Sequence, residues 1–361
     1  MILWVLYYAQ GSLYARGSII SRGILVLFLF LSLYNVYLAH KEYKISHYLK
    51  ALDILLLMFS IYGFISITNR STVDYLKMIY LSLLPTYSFF VYSQKGLITE
   101  RWIRVVFFII VSVVALQYFS YINYLNETYE DAELSTINVG YDILALIPLV
   151  YFFRRRPLIQ YILLAIILIY VISTVKRGAI IIGAMCVVYF LYRAFKMDSK
   201  RKWSYVIIGI AFVVMSFLFV TQFYNASEYA QIRYNATMEG DSSGRDMIFS
   251  AAWSIFTNSD MAKLLFGHGA ASTVALMGVA AHNDWLELLV NQGLLGGVIY
   301  LYYWIEFSRV YKREKTYEGK SIIGMLIIIY FMSTLFSMSY AAMTFPANIS
   351  LGYCLARQKT A

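Results

Sequence analysis

ILLAIILIYVI, residues Ile162 to Ile172, is apolar on every face, and Ile180 to Leu191 and Val206 to Val220 repeat the pattern. None of these runs alternates polar and apolar residues with a period of two. They therefore read as helices in lipid, whose backbone groups are satisfied internally, rather than as strands of a membrane barrel. The whole chain agrees: of 361 residues 60% are hydrophobic and 14% charged, against about 45 to 50% and about 25% in soluble proteins, and the mean hydropathy is +0.64. The fold class that follows is all-α, a polytopic integral membrane protein forming a single transmembrane domain over residues 1–361.

A span needs about 20 apolar residues. Stretches near that length lie at 18–39, 49–67, 76–93, 102–122, 138–153, 158–175, 178–195, 203–223, 284–305, 321–340 and 344–356, which predicts about 11 transmembrane helices. Residues 1–15 are apolar too, but Gly11, Arg16 and Gly17 interrupt them, so they fit a lateral interface helix or part of a broken first span. Arg16 and Arg22 interrupt this stretch instead of preceding it, so no cleavable signal peptide is expected.

Most of the chain's 30 lysines and arginines fall in alternate connections, at 40–50, 94–104, 154–156, 193–202, 306–320 and the carboxyl tail. Those sides are expected in the cytoplasm. The same bias explains the net charge of +10 without nucleic acid as a partner. The opposite side carries Glu127, Glu130, Asp131 and Glu133 in one loop and residues 224–282 in another, the large external loop. Within it, Met247, Ile248, Ala251, Ala252, Ile255 and Phe256 recur by threes and fours, the pattern of a one-sided helix packed onto the bundle. Cys186 and Cys354 lie in apolar segments and read as small buried hydrophobes.

Residues able to do chemistry sit at three places. In HNDWLELLVNQGLLGG, His282 to Gly297, Asp284 and Glu287 form a capping-box-like pair, so a helix is expected to start near Trp285 and reach Trp304, about 20 residues and about 30 Å. His282 and Asn283 then end the loop beside a positive helix terminus, which favours a neutral imidazole able to accept a proton. The same position fits a histidine that only bonds loop backbone. Gly293, Gly296 and Gly297 read as small residues that let a neighbouring helix approach.

The second place is Lys176-Arg177, two cations at a predicted outer helix end, against the positive-inside tendency. A bound anion accounts for them, and so does snorkelling to headgroups. At the third, Ser243-Gly244-Arg245 opens the loop helix and suits a diphosphate, unless Arg245 merely pairs with Asp241 or Asp246. Arg233 and His268, the latter in Gly-His-Gly, are weaker substrate-binding candidates. No Walker A loop, HExxH, CxxC or GxSxG pattern occurs. Carboxylates within the expected spans are few, chiefly Asp53 and Asp142, which speaks against a proton-driven transporter.

An Arg-Gly pair at an outer helix end, a Gly-Arg opening a loop helix, then His282-Asn283, nine residues, Gly293, two residues and Gly296 resemble the O-antigen ligase and O-antigen polymerase superfamily of bacterial membrane glycosyltransferases. The resemblance covers about Ser173 to Gly297. It implies transfer of a glycan from an undecaprenyl-diphosphate carrier to an acceptor glycan at the periplasmic or outer side of the cytoplasmic (inner) membrane, with no metal or cofactor. On it, Arg177 and Arg245 hold the diphosphate and Lys176 assists, although many relatives have serine there; His282 is the general base. A polymerase is preferred, with a chain-length regulator as a further partner. A ligase acting on lipid A-core, a lipid-linked oligosaccharide flippase and a scaffold are the alternatives.

Overall fold

The structure, a computed structural model, describes residues 2–8, 17–66, 70–127, 139–197, 202–226, 228–239, 244–337 and 344–358, and every regular element among them is helical. The acidic loop positions Glu130, Asp131 and Glu133, together with Gly11, Arg16, Asp241 and Ser243, lie outside the described residues. Among the described residues, seven helices are long and apolar enough to cross a membrane: Ile19–Glu42, His47–Ile65, Glu100–Phe119, Arg177–Lys196, Ile207–Asn225, Asp284–Arg313 and Tyr317–Phe336.

The other four expected stretches are shorter or interrupted helices, and each has a proline at its break or in its first turn. Pro85 separates Arg70–Leu83 from Pro85–Gln94. Pro148 opens the 3₁₀ stretch Ile147–Phe153 after the short helix Val139–Leu144. Pro157 starts the 17-residue helix Pro157–Ser173, and Pro346 lies in the first turn of the 13-residue helix Phe345–Arg357. These are the chain's only 4 prolines. Lacking an N–H and clashing with the preceding turn, proline is tolerated where a helix begins and not in its middle.

The chain folds as two compact units. One comprises Met1–Leu25, Thr99–Asp241 and Gly324–Ile329. In it, Pro157–Ser173 and Arg177–Met197 are joined by a tight turn in which Thr174 Oγ1 donates to the carbonyl of Val171 at 2.7 Å. A Cβ on Gly140 would stand 2.8 Å from Thr174 Oγ1 and 3.3 Å from Ala179 Cβ, so the glycine is what lets Val139–Leu144 rest on that turn. Cys186 is buried and free here, as is Cys354 in the other unit.

The second unit comprises Val26–Ile98, Ser242–Ile323 and Tyr330–Ala361. Its organising feature lies within Asp284–Arg313, where Gly293 has φ 66° and ψ −162°. Sixteen residues of unbroken helix would hold Asp284 and Tyr300 about 24 Å apart, yet the Tyr300 hydroxyl donates to Asp284 Oδ2 at 2.5 Å. The Trp285 and Tyr300 rings lie 5.1 Å apart. A Cβ on Gly296 would sit 2.4 Å from Gln292 Cβ and 3.6 Å from the Leu288 carbonyl oxygen, and one on Gly297 would be 3.6 Å from Leu289 Cδ2. Residues 284–292 and 294–313 are therefore two limbs of an antiparallel helical hairpin, with Gly293 at its tip.

The expectation of a single span from Trp285 to Trp304 is corrected accordingly. The limb long enough to cross is 294–313, about 20 residues and about 30 Å. Gly296 and Gly297 do receive a neighbouring helix, as small residues should, but that neighbour is the hairpin's own first limb. Gly293 has a different task. Its φ is one that residues with a Cβ rarely adopt, and a Cβ there would lie 2.5 Å from the carbonyl carbon of Leu265.

Candidate functional site

A helix leaves its last carbonyls without internal partners, and the break at Gly293 does so inside the second unit. The Gly267-His268-Gly269 stretch supplies the missing donors: His268 N–H reaches the Val290 carbonyl and Gly269 N–H the Asn291 carbonyl, both at 2.9 Å. A Cβ on Gly267, whose φ is +76°, would come 2.3 Å from the Asn291 oxygen. Helix His47–Ile65 and the serine that caps it add two bonds, Ala270 N–H to Ser66 Oγ at 3.0 Å and Tyr62 hydroxyl to the Gln292 carbonyl at 3.2 Å. The histidine of Gly-His-Gly is thus more than a turn residue.

Its ring is oriented as well. Ser259 Oγ donates to the Ile255 carbonyl at 2.6 Å, which uses its only hydrogen. The 2.7 Å contact between Ser259 Oγ and His268 Nε2 therefore needs the proton on Nε2, leaving Nδ1 as the accepting nitrogen of the neutral ring. Burial, then the charge of Lys263, pushes the imidazole pKa down, and Asp260 opposes them.

The loop returns to the hairpin through Glu287, only 1% exposed. Its carboxylate accepts from the Thr273 hydroxyl, from Ala281 N–H at 2.7 Å and from Asn291 Nδ2 at 3.0 Å. Asn291 Oδ1 takes Thr273 N–H at 3.0 Å, closing the ring of bonds. Glu287 is therefore not the far half of a capping box. The cap is Asn283, not Asp284 as the sequence suggests: its Oδ1 accepts from the N–H groups of Trp285 at 3.0 Å and Leu286 at 3.1 Å, and the helix starts at Asp284. Asn283 Nδ2 reaches the Leu335 carbonyl at 3.4 Å, and Trp285 Nε1 donates to Thr334 Oγ1 at 3.0 Å.

Between the pinned Ala281 and the pinned Asn283 stands His282, exposed and with φ 51°. A left-handed histidine is uncommon, and here both neighbours hold it in place. Asn283, a substrate-binding candidate by sequence, serves as the helix cap. Glutamine at position 287 would keep the size but turn a buried oxygen into a donor facing Thr273, Ala281 or Asn291. Glu287→Gln should cost about 1 to 3 kcal/mol, read as a lower unfolding midpoint and faster proteolysis between residues 270 and 283.

Arg245 is the first residue of helix Arg245–Thr257, entered from Gly244 at φ 72°. This is close to the expected helix at 242–256. Ala252 and Phe256 of that helix pack in one cluster with Ala281 and Val290. Among the described residues Arg245 makes no ion pair, so pairing with Asp246 does not account for it, and Asp241 is outside them. In the other unit, Lys176 and Arg177 are half-buried and follow Val175, which has φ 50°. The Lys176 ammonium lies 5.9 Å from the Tyr141 ring centroid, a cation–π contact. Arg233 is on helix Glu228–Met238, and its side chain lies outside the described residues.

Of the candidates, His282, Asn283, His268 and Arg245 belong to the hairpin and its covering loop, whereas Lys176, Arg177 and Arg233 belong to the first unit. Sequence reasoning missed Thr273 and Asn291 and took Glu287 for a capping partner. The signal was present: Glu287 and Asn291 are one helical turn apart inside an apolar run, where polar residues demand partners. Among the described residues no group of three or more His, Cys, Asp or Glu is placed to hold a metal ion. Compared with known proteins, the chain matches no family and no curated protein.

Proposed function

We propose that the chain is a glycosyltransferase of the bacterial cytoplasmic membrane. It moves a glycan from an undecaprenyl-diphosphate carrier to an acceptor sugar hydroxyl on the outer side, as a repeat-unit polymerase. The observation that carries this reading is the common setting of its three reactive groups. Arg177 follows a left-handed Val175 by two residues, Arg245 directly follows a left-handed Gly244, and His282 is itself left-handed; each stands at or just before the first turn of a helix. Left-handed conformations of valine and histidine are costly, and such strain persists where the surroundings over-determine an aimed side chain. The resemblance of the chain to the O-antigen ligase and polymerase superfamily supplies the chemistry.

In that chemistry the acceptor oxygen attacks the anomeric carbon, the bond from that carbon to the diphosphate oxygen breaks, and His282 takes the hydroxyl proton. Negative charge gathers on the departing diphosphate, where the guanidinium groups of Arg177 and Arg245 offset it, with Lys176 adding charge. A single displacement inverts the anomeric configuration. Loss of one such stabilising group commonly costs about 10²- to 10³-fold in rate. Arg177→Ala and Arg245→Ala should each do so in a reconstituted polymerisation assay. Lysine at either position should restore part of the rate, since it keeps the charge but not the planar fork. Unchanged rates in both alanine variants would remove the diphosphate role.

A flippase for the same lipid-linked sugar is the second reading. The structure buries Asp284, Glu287 and Glu306 in Asp284–Arg313, so the apparent scarcity of membrane carboxylates no longer weighs against transport. A flippase would relocate the carrier without joining sugars.

A further inference from the structure

Helix His47–Ile65 exposes an apolar stripe at Ile54, Leu57, Ile61 and Ile65, the last 76% exposed. The second limb of the hairpin exposes another at Leu294, Val298, Leu301 and Ile305. His47–Ile65 is a candidate span and the limb 294–313 is about 20 residues long, and spacings of three and four give each stripe one side of its helix. One stripe begins immediately after Gly293 and the other ends at Ile65. Those two ends are level, because the same few residues touch both: Ala270 N–H bonds Ser66, and the Leu265–Gly267 backbone lies against Gly293.

The loop 245–281 does not extend beyond that level. Thr273 and Ala281 bond Glu287, which lies between the tip and Asp284, the partner of Tyr300. Helix Arg245–Thr257 packs against Val290 and Leu286 of the same limb. The loop thus lies beside those stripes and not above them, and it carries large exposed apolar side chains of its own. Met261 is 71% exposed and Phe266 56%, with Leu265, Leu276 and Val279 exposed as well. No residue of the helix Met261–Phe266 is buried. Its Lys263 pairs with Asp260 at 3.1 Å, so the two charges offset each other locally.

We infer that Met261–Val279, expected from sequence to be a soluble external loop, is immersed in the leaflet at the Gly293 end of the spans, with Met261, Leu265, Phe266, Leu276 and Val279 against acyl chains. The occupant of this surface is lipid because the surface continues, at the same level, the exposed apolar stripes of two helices long enough to lie in a membrane. The inference does not rest on the transferase reading.

The test places a nitroxide at Met261→Cys, Phe266→Cys and Leu276→Cys, one at a time, in the full chain reconstituted in phosphatidylethanolamine and phosphatidylglycerol bilayers. These are exposed positions, where a label leaves packing intact. Relaxation by oxygen, which concentrates in lipid, is compared with relaxation by a water-soluble nickel chelate. Val298→Cys is the lipid reference and Lys315→Cys the aqueous one. Oxygen should exceed the chelate several-fold at all three loop sites, as at Val298. The Lys315 pattern at those sites would overturn the inference, and so would weak relaxation by both agents, which would mean that protein covers them.

Discussion

On the proposed function, His282→Ala should abolish glycan joining while leaving binding of the carrier nearly intact. A positioned base contributes about 10²- to 10⁴-fold, and the cations proposed to hold the diphosphate, Arg177 and Arg245, are elsewhere in the chain. The control that isolates chemistry from folding is His282→Gly. At φ 51° glycine relieves strain that alanine keeps, so the glycine variant should unfold at or above the wild-type midpoint and be equally inactive. Reconstituted protein, a lipid-linked repeat unit and gel separation of the products suffice. A polymer yield from His282→Ala equal to that of the wild type would remove the base and favour the flippase.

Gly293→Ala should produce the largest loss of stability of any single glycine substitution in the hairpin. The pair φ 66° and ψ −162° belongs to a region that is essentially glycine's alone, and it costs a residue with a Cβ about 1 to 3 kcal/mol. The added carbon also meets the Leu265 carbonyl carbon at 2.5 Å, the Leu265 oxygen at 2.6 Å and the Gly267 nitrogen at 2.6 Å, all backbone atoms. Relief requires the Gly-His-Gly stretch to withdraw, and the carbonyls of Val290 and Asn291 then lose their donors. Each buried group left unpaired costs about 1 to 3 kcal/mol, so a total of about 3 kcal/mol or more is expected in a thermal or denaturant melt. Gly297→Ala is the comparison, because its Cβ would make only an ordinary 3.6 Å contact with Leu289. If both substitutions cost the same small amount, the hairpin tip is not where the structure puts it.

The helical class was readable from runs such as Ile162–Ile172, because an apolar run without alternation has few other solutions in lipid. The amphipathic loop helix, and His282 and Asn283 as the last residues before a helix, were readable from periodicity and capping chemistry. The hairpin was not. Its turn is one glycine inside an apolar run that already contains three, and what distinguishes Gly293 is the backbone of residues 265–267 pressed against it, which lies far away in sequence. Glu287 was mistaken for a capping partner because its spacing from Asp284 is right for that role, whereas its real donors are six and fourteen residues upstream. Hydropathy windows run across Pro85 and Pro148 without marking them, whereas the helices restart there.

The most direct measurement uses the wild-type chain alone in vesicles containing an undecaprenyl-diphosphate-linked repeat unit. The predicted result is an oligosaccharide ladder growing on the carrier, one free carrier diphosphate released per bond formed, and inverted anomeric linkages by NMR. Recovery of the repeat unit unjoined, whether left in place or moved to the other leaflet, would contradict glycan transfer by this protein.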